Sequence, residues 1–228
     1  MTQRANARLA GLAFLIYIAA AFPTMIVFGK AAAGDSVAAR LAGIAQHASD
    51  LRIVNVLSLV GCLCALVLGV TLYRLTRDQD AELAIFALTC RVAEGVVGAT
   101  GLLRIPALIW VATASGADAP NPDGIHALGA YLLGGGGVNT LIGATFFAVG
   151  STIFSWLMLR GRLIPVALAW IGVIASVLLV IGLPLQMAGV ASASVVGYLW
   201  LPMALFEIPL GFWLIFKGVS VPAPRQAL

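Results

Sequence analysis

The sequence predicts an all-α, polytopic integral membrane bundle of six transmembrane helices, with a short amphipathic helix between the first and second. Three observations predict it. Of 228 residues, 61% are apolar and only 10% charged, where a soluble domain carries about 25% charged residues. The mean hydropathy is +1.05. The apolar residues fall in six runs long enough to cross a bilayer, which takes about 20 residues at 1.5 Å each. No alternating pattern of the barrel type is present, so helices are the only spanning structure the backbone can adopt. An ordinary cytosolic enzyme, a disordered chain and a nucleic-acid-binding domain are excluded on composition.

The whole chain, 1–228, reads as one six-helix domain. The first span, 9–29, contains Pro23 and is expected to bend there. Its basic start and small residues imitate a signal peptide, but 21 residues exceed the apolar core of about 7–15 that a signal carries. The segment from Asp35 to Asp50 is too polar to span. Val37, Leu41 and Ile44 recur at helical spacing behind Asp35 or Ser36 as N-cap, which predicts a helix on the membrane surface or capping the bundle. The second span is 53–75. The third, 81–114, is long enough to tilt, with a bend expected at Pro106. Gly116, Pro120, Pro122 and Gly124 make 115–124 a loop. The fourth span is 127–159, the fifth 165–187 with Pro165 in its first turn, and the sixth 195–216, interrupted by Pro202 and Pro209. There is no convincing internal repeat of the kind inverted-repeat transporters show.

Eleven arginines and two lysines make up the basic residues. With a cytoplasmic N-terminus, that side holds Arg4, Arg8, Arg74, Arg77, Arg160, Arg162, Lys217 and Arg225. The opposite side holds Lys30, Arg40 and Arg52. Eight against three satisfies the positive-inside rule, so both termini are predicted in the cytoplasm. The net charge of +4 therefore reports orientation and headgroup contact, with membrane lipids as partners and no nucleic acid. Oligomeric state is not readable from it.

Charged residues inside the spans carry the functional question. Arg91 and Glu94 stand three apart near the middle of the third span, on one face. Either one alone at the bilayer centre costs about 2.5–3.5 kcal/mol on the insertion scale. Gly98 and Gly101 continue that face and invite a close neighbour. Glu207 in the sixth span reaches the same depth, two residues before Pro209, which frees the Leu205 carbonyl. Together Arg91, Glu94 and Glu207 would carry −1 if all were ionised. That excess fits a shared proton or a visiting cation or donor, and equally a buried pair that only sets helix register.

Arg104 falls off this stripe toward the outer face. It either snorkels to headgroups, the favoured reading, or joins Asn55, Ser58, His126 and Gln186 in a polar vestibule. In the fourth span Gly136, Gly143 and Gly150 recur every seven residues beside Asn139 and Thr140, a small-residue packing seam. Gly134–Gly137 could instead break that helix, which membrane depth tolerates only where it lines a cavity. Cys62, Cys64 and Cys90 lie in apolar runs with no ligand set for a metal, and no cofactor is expected. Lys30 and Lys217 sit at span ends, which removes a mid-membrane Schiff base. No intramembrane histidine pair exists for bis-histidine haem.

Four short motifs, read together, are familiar. They are Arg8-Leu9-Ala10-Gly11, Cys90-Arg91-Val92-Ala93-Glu94, Arg160-Gly161-Arg162-Leu163-Ile164-Pro165, and Phe206-Glu207 with Lys217-Gly218. On these, the chain resembles the six-helix bacterial membrane family known as domain of unknown function 4386. The resemblance implies the six-helix architecture and a bacterial inner membrane, and brings no activity. Members often carry a histidine in the fourth helix; Asn139 and the glycine run stand there, so histidine-based chemistry is not implied.

Three readings follow. The first is a non-enzymatic protein that binds or transports a small ligand at Arg91, Glu94 and Glu207, with Arg104 and Asn139 as further candidates. The second is an intramembrane enzyme acting on lipid or isoprenoid substrates, with no nucleophile visible. The third is a structural or regulatory subunit whose charges only pair helices.

Overall fold

The computed structural model describes residues 2–115, 121–135 and 137–220, without the side chains of 135–139. Helix α1 (Gln3–Ala31) begins six residues before the expected span, because the Thr2 hydroxyl accepts from Ala5 N at 3.2 Å and caps it. It runs unbroken through Pro23. Helix α2 (Val37–Gln46) is the expected amphipathic helix, with Ser36 as its cap and Leu41 and Ile44 buried. Helix α3 (Ala48–Thr76) follows directly after His47 and starts five residues earlier than the apolar run.

The third span is two helices, α4 (Ala81–Gly101) and α5 (Arg104–Thr113). The interruption falls at Leu102–Leu103, ahead of the bend expected at Pro106. Pro106 sits in the first turn of α5, where its missing N–H leaves no helical bond unmade. Pro122 likewise opens α6 (Pro122–Gly135) one residue after Asn121, whose side chain accepts from Gly124 N at 2.7 Å. The end of the predicted 115–124 loop is therefore the first turn of a helix; 116–120 lie outside the described residues.

Helices α7 (Gly137–Arg160) and α8 (Val166–Met187) follow, with Pro165 as the cap of α8 rather than a residue of its first turn. Helix α9 (Ala193–Tyr198) and helix α10 (Trp200–Phe216) complete the sixth span, with Pro202 in the first turn of α10 and Pro209 inside it. Among the described residues, six helical segments, Gln3–Ala31, Ala48–Thr76, Ala81–Thr113, Thr140–Arg160, Val166–Met187 and Ala193–Phe216, are long and apolar enough to cross a membrane.

The long helices close into a ring. α1 packs on α3, α3 on α4, α4 on α7, α7 on α8, α8 on α10, and α10 back on α1. Short turns join α3 to α4 and α7 to α8 as antiparallel neighbours, whereas α2 intervenes between α1 and α3, and α5 and α6 between α4 and α7. Around the terminus end lies the larger apolar core, drawn from all six spans and including Phe14, Leu68, Phe147, Leu179 and Leu210. At the other end α2, α5 and α6 pack on one another as a cap, around Ile44, Leu51, Leu108 and Leu133. Small residues set the closest approaches. A Cβ on Gly11 would lie 2.5 Å from Gly211 O, and one on Gly43 2.5 Å from Ala31 O.

The Arg160-Gly161-Arg162-Leu163-Ile164-Pro165 motif is the turn that ends α7. Leu163 N donates to Met158 O at 2.9 Å and Arg162 N to Leu159 O at 3.1 Å, a Schellman cap. Arg162, at φ 50°, occupies the left-handed position that glycine usually fills. Arg160 pairs with Asp80 at 3.5 Å, Leu163 and Ile164 are buried, and the motif locks α7 and α8 to the start of α4.

Candidate functional site

Arg91 is 1% exposed and is among the largest fully buried side chains described. Helix α4 positions it in the ring interior because Ala84, Ala87, Cys90, Arg91 and Glu94 form its buried stripe. Two glycines make room for the long side chain. A Cβ on Gly69 would lie 3.0 Å from Arg91 Cβ, and one on Gly150 would lie 3.5 Å from Arg91 Cδ.

The guanidinium and Glu94 form the expected i,i+3 pair, with Nη1 to Oε2 at 2.9 Å. Its Cζ lies 5.0 Å from the centre of the Phe147 ring on α7 and 5.8 Å from that of Tyr17 on α1, so two aromatic faces supply attraction that water would otherwise give. Nε, Nη1 and Nη2 make no aligned hydrogen bond. The Tyr17 hydroxyl donates to Glu94 Oε1 at 2.9 Å. Glu94 is thus held from both sides, by a charge on its own helix and a phenol across the ring.

Glu207 joins this group from α10. It is 6% exposed, feels the charges of both Arg91 and Glu94, and keeps Oε1 without a hydrogen-bond partner. The structure therefore brings together Arg91, Glu94 and Glu207, and adds Tyr17 and Phe147. Neither aromatic residue was a candidate from the sequence. Tyr17 carried a readable signal, since a tyrosine at the middle of a span is far from the interfaces where that residue concentrates.

One end of the cluster opens into a cavity of about 480 Å³. Tyr17, Glu94 and Phe147 line its floor, and Phe28 and Arg104 line it near the capped end. Asn55, Ser58 and Cys62 of α3 also line it, and Asn55 Oδ1 has no hydrogen-bond partner. The volume lies in the range of about 300–1,000 Å³ typical of ligand pockets. Arg91 and Glu207 stand behind the floor and are not part of the lining.

Arg104 is half-buried on the cavity lining. It turns inward, donating from Nε to Leu132 O at 2.7 Å and from Nη2 to Leu133 O at 3.2 Å, with Cζ 4.8 Å from the centre of the Phe28 ring. The carbonyls near the end of α6 and the face of the Phe28 ring suit a planar, weakly hydrated guanidinium. The predicted vestibule forms only in part. Asn55, Ser58 and Arg104 line the cavity, whereas His126 and Gln186 do not.

The small-residue seam is also partial. Gly150 packs tightly on α4, with a Cβ 3.2 Å from Ala87 O, and Gly143 approaches Val97 at 3.7 Å. Gly136 lies outside the described residues, as does the side chain of Asn139, and the predicted break at Gly134–Gly137 falls across that gap. On α4, Gly98 meets the Cys62 sulfur, but Gly101 faces open space. Among the described residues no group of His, Cys, Asp and Glu is placed to hold a metal ion.

No curated protein and no solved structure matches the chain. A family model does, over residues 9–218, and that stretch contains α1 from Leu9 onward, all of α2 to α10, the buried Arg91–Glu94 pair and the cavity. On this match over nearly its full length, the chain belongs to the family described as domain of unknown function (DUF4386).

Proposed function

We propose that the protein binds, and in doing so carries or presents, a small amphiphilic molecule in the cavity inside its ring of helices. The observation that carries this reading is the cavity itself, largely apolar along its walls and polar at its floor, where Tyr17 and Glu94 meet. Pockets with apolar walls and a few convergent polar groups orient ligands through those groups. Glu94 and Tyr17 are the residues assigned to the ligand's inner end, with Arg91 and Glu207 fixing their charge from behind.

Access from the bilayer is supported by the walls. α1 and α10 are pinned together at the terminus end, by the Gly11–Gly211 approach and by Arg8 Nε donating to Ile215 O at 3.3 Å. Farther along, the cavity-lining Met25 and Trp200 on the same two helices are 67% and 39% exposed. An even number of spans leaves both termini on one face. The excess of arginine there supports a cytoplasmic placement of that face, and with it a cavity turned toward the outer leaflet.

An intramembrane enzyme would also need a cavity reaching Glu94. Binding is favoured because both carboxylate oxygens of Glu94 are held, by Tyr17 and by Arg91, while Glu207, whose Oε1 has no hydrogen-bond partner, lies outside the cavity lining.

The test is native mass spectrometry of the protein released from nanodiscs, comparing wild type with Gly101→Leu. Gly101 lines the cavity and a Cβ there would meet nothing within 4 Å, so a leucine side chain starts into open space. A discrete adduct in the wild type that vanishes in the variant is expected. Identical spectra would overturn the proposal.

A further inference from the structure

Near the capped end of the cavity two guanidinium groups meet the last turn of α1 and its cap; Arg104 is on the cavity lining and Arg40 lies outside it. Arg40, from α2, donates through Nε to Ala32 O at 2.9 Å. Arg104 lies over the ring of Phe28, one helical turn earlier. The helices that carry them, α2 and α5, pack on each other, and among the described residues Arg40 acts on Arg104 electrostatically while no carboxylate does so. Among the described residues neither arginine forms an ion pair. Like charges placed together in a partly buried setting repel, so an anion bound beside both would be stabilised.

Carbonyl groups already stand beside both, but they do not use all the donors. Arg104 bonds through Nε and Nη2 and Arg40 through Nε, which leaves Nη1 of the first and both terminal nitrogens of the second. Paired guanidinium forks match carboxylate and phosphate oxygens in geometry as well as charge. From Phe28 to Tyr17, both in the lining, is eleven residues of α1, or about 16 Å at the helical rise.

We infer that Arg104, on the cavity lining, and Arg40, beside it at the rim, form a recognition site for the anionic headgroup, carboxylate or phosphate, of a single-chain amphiphile whose chain runs down the cavity toward Tyr17 and Glu94. This rests on the reading of the cavity as a ligand site and supplies the class of ligand. The cavity takes one chain, and its exposed wall at Met25 and Trp200 is the route by which the chain enters from the bilayer.

The experiment uses the full chain in phosphatidylcholine nanodiscs and a dodecanoate probe with a photoreactive diazirine at its tail. Labelling is expected on α1 between Tyr17 and Met25 and on α7 between Thr140 and Phe147. Excess dodecanoate or dodecyl phosphate should suppress it, and the stronger of the two identifies the headgroup. Uncharged dodecanol should compete at least tenfold more weakly.

Arg104→Gln and Arg40→Gln should each weaken labelling at least tenfold. Arg40→Gln decides alone if the loss of the Leu132 and Leu133 contacts prevents Arg104→Gln from folding. Equal competition by dodecanol with unaffected arginine variants would overturn the headgroup site while leaving the cavity reading intact. Labelling that survives Gly101→Leu would mark the probe as annular lipid and overturn both.

Discussion

The Tyr17 hydroxyl and Glu94 Oε1 lie 2.9 Å apart, a hydrogen bond that joins α1 to α4 across the interior although both helices pack on α3. The bond closes the floor of the cavity and fixes the carboxylate that Arg91 neutralises. Tyr17→Phe removes the donor and keeps the ring beside Arg91. We expect a loss of about 1 kcal/mol, the scale of interhelical hydrogen bonds in membranes, read from unfolding in mild detergent. An unchanged unfolding midpoint would show that the contact adds nothing to the bundle.

Removal of Arg91 tests the electrostatic arrangement. Arg91→Leu leaves Glu94 and Glu207 buried without a counter-charge, and breaking a buried pair from one side costs about 3–5 kcal/mol. Arg91→Leu combined with Glu94→Gln and Glu207→Gln should recover most of that loss, because no uncompensated charge remains. A triple variant as unstable as the single one would mean that Arg91 acts through packing on Phe147 and Tyr17, not through charge.

Glycines divide into two kinds with opposite predicted outcomes. Gly61 lines the cavity and a Cβ there meets nothing within 4 Å. Gly61→Leu should keep or raise stability, by up to about 1 kcal/mol of helix propensity, while blocking the cavity. Gly172 is the reverse case, with a Cβ 2.5 Å from the Phe206 ring. Gly172→Ala should lose about 1–3 kcal/mol by overpacking. Equal behaviour of the two variants in thermal unfolding would contradict the assignment of open and closed faces.

Orientation is tested with reporter fusions. A fusion at the C-terminus and one in the turn at Gly161 should both report cytoplasm, and one after Ser115 should report the opposite side. A Gly161 fusion reporting the outer side would reverse the membrane sidedness of the cavity.

The six spans, the capping helix and the Arg91–Glu94 pair were legible because each is local. Apolar run length, a Ser36 cap and i,i+3 spacing depend on neighbours in sequence. Glu207 was legible too, since depth along a span can be counted. Tyr17 and Phe147 were not found, because their value comes from meeting Arg91 across the ring, and residue spacing does not encode which helix faces which. Arg104 was assigned outward for a related reason. Its inward partners, the carbonyls of Leu132 and Leu133, are backbone groups 28 and 29 residues away and carry no side-chain signature. Helix starts were misplaced wherever a polar first turn, as at Gln3 and Ala48, precedes the apolar run.

The central claim is that an open cavity reaches the floor at Tyr17 and Glu94, and Cys62 reports on it directly. Cys62 lines the cavity, whereas Cys64 and Cys90 are buried outside its lining. The measurement is the rate at which a small methanethiosulfonate reagent modifies Cys62 in a Cys64→Ala/Cys90→Ala background, with and without dodecanoate. The account predicts ready modification that dodecanoate slows at least tenfold and that Gly101→Leu abolishes. A Cys62 that stays unmodified in the open protein, or reacts at one rate whatever occupies the membrane, would contradict it.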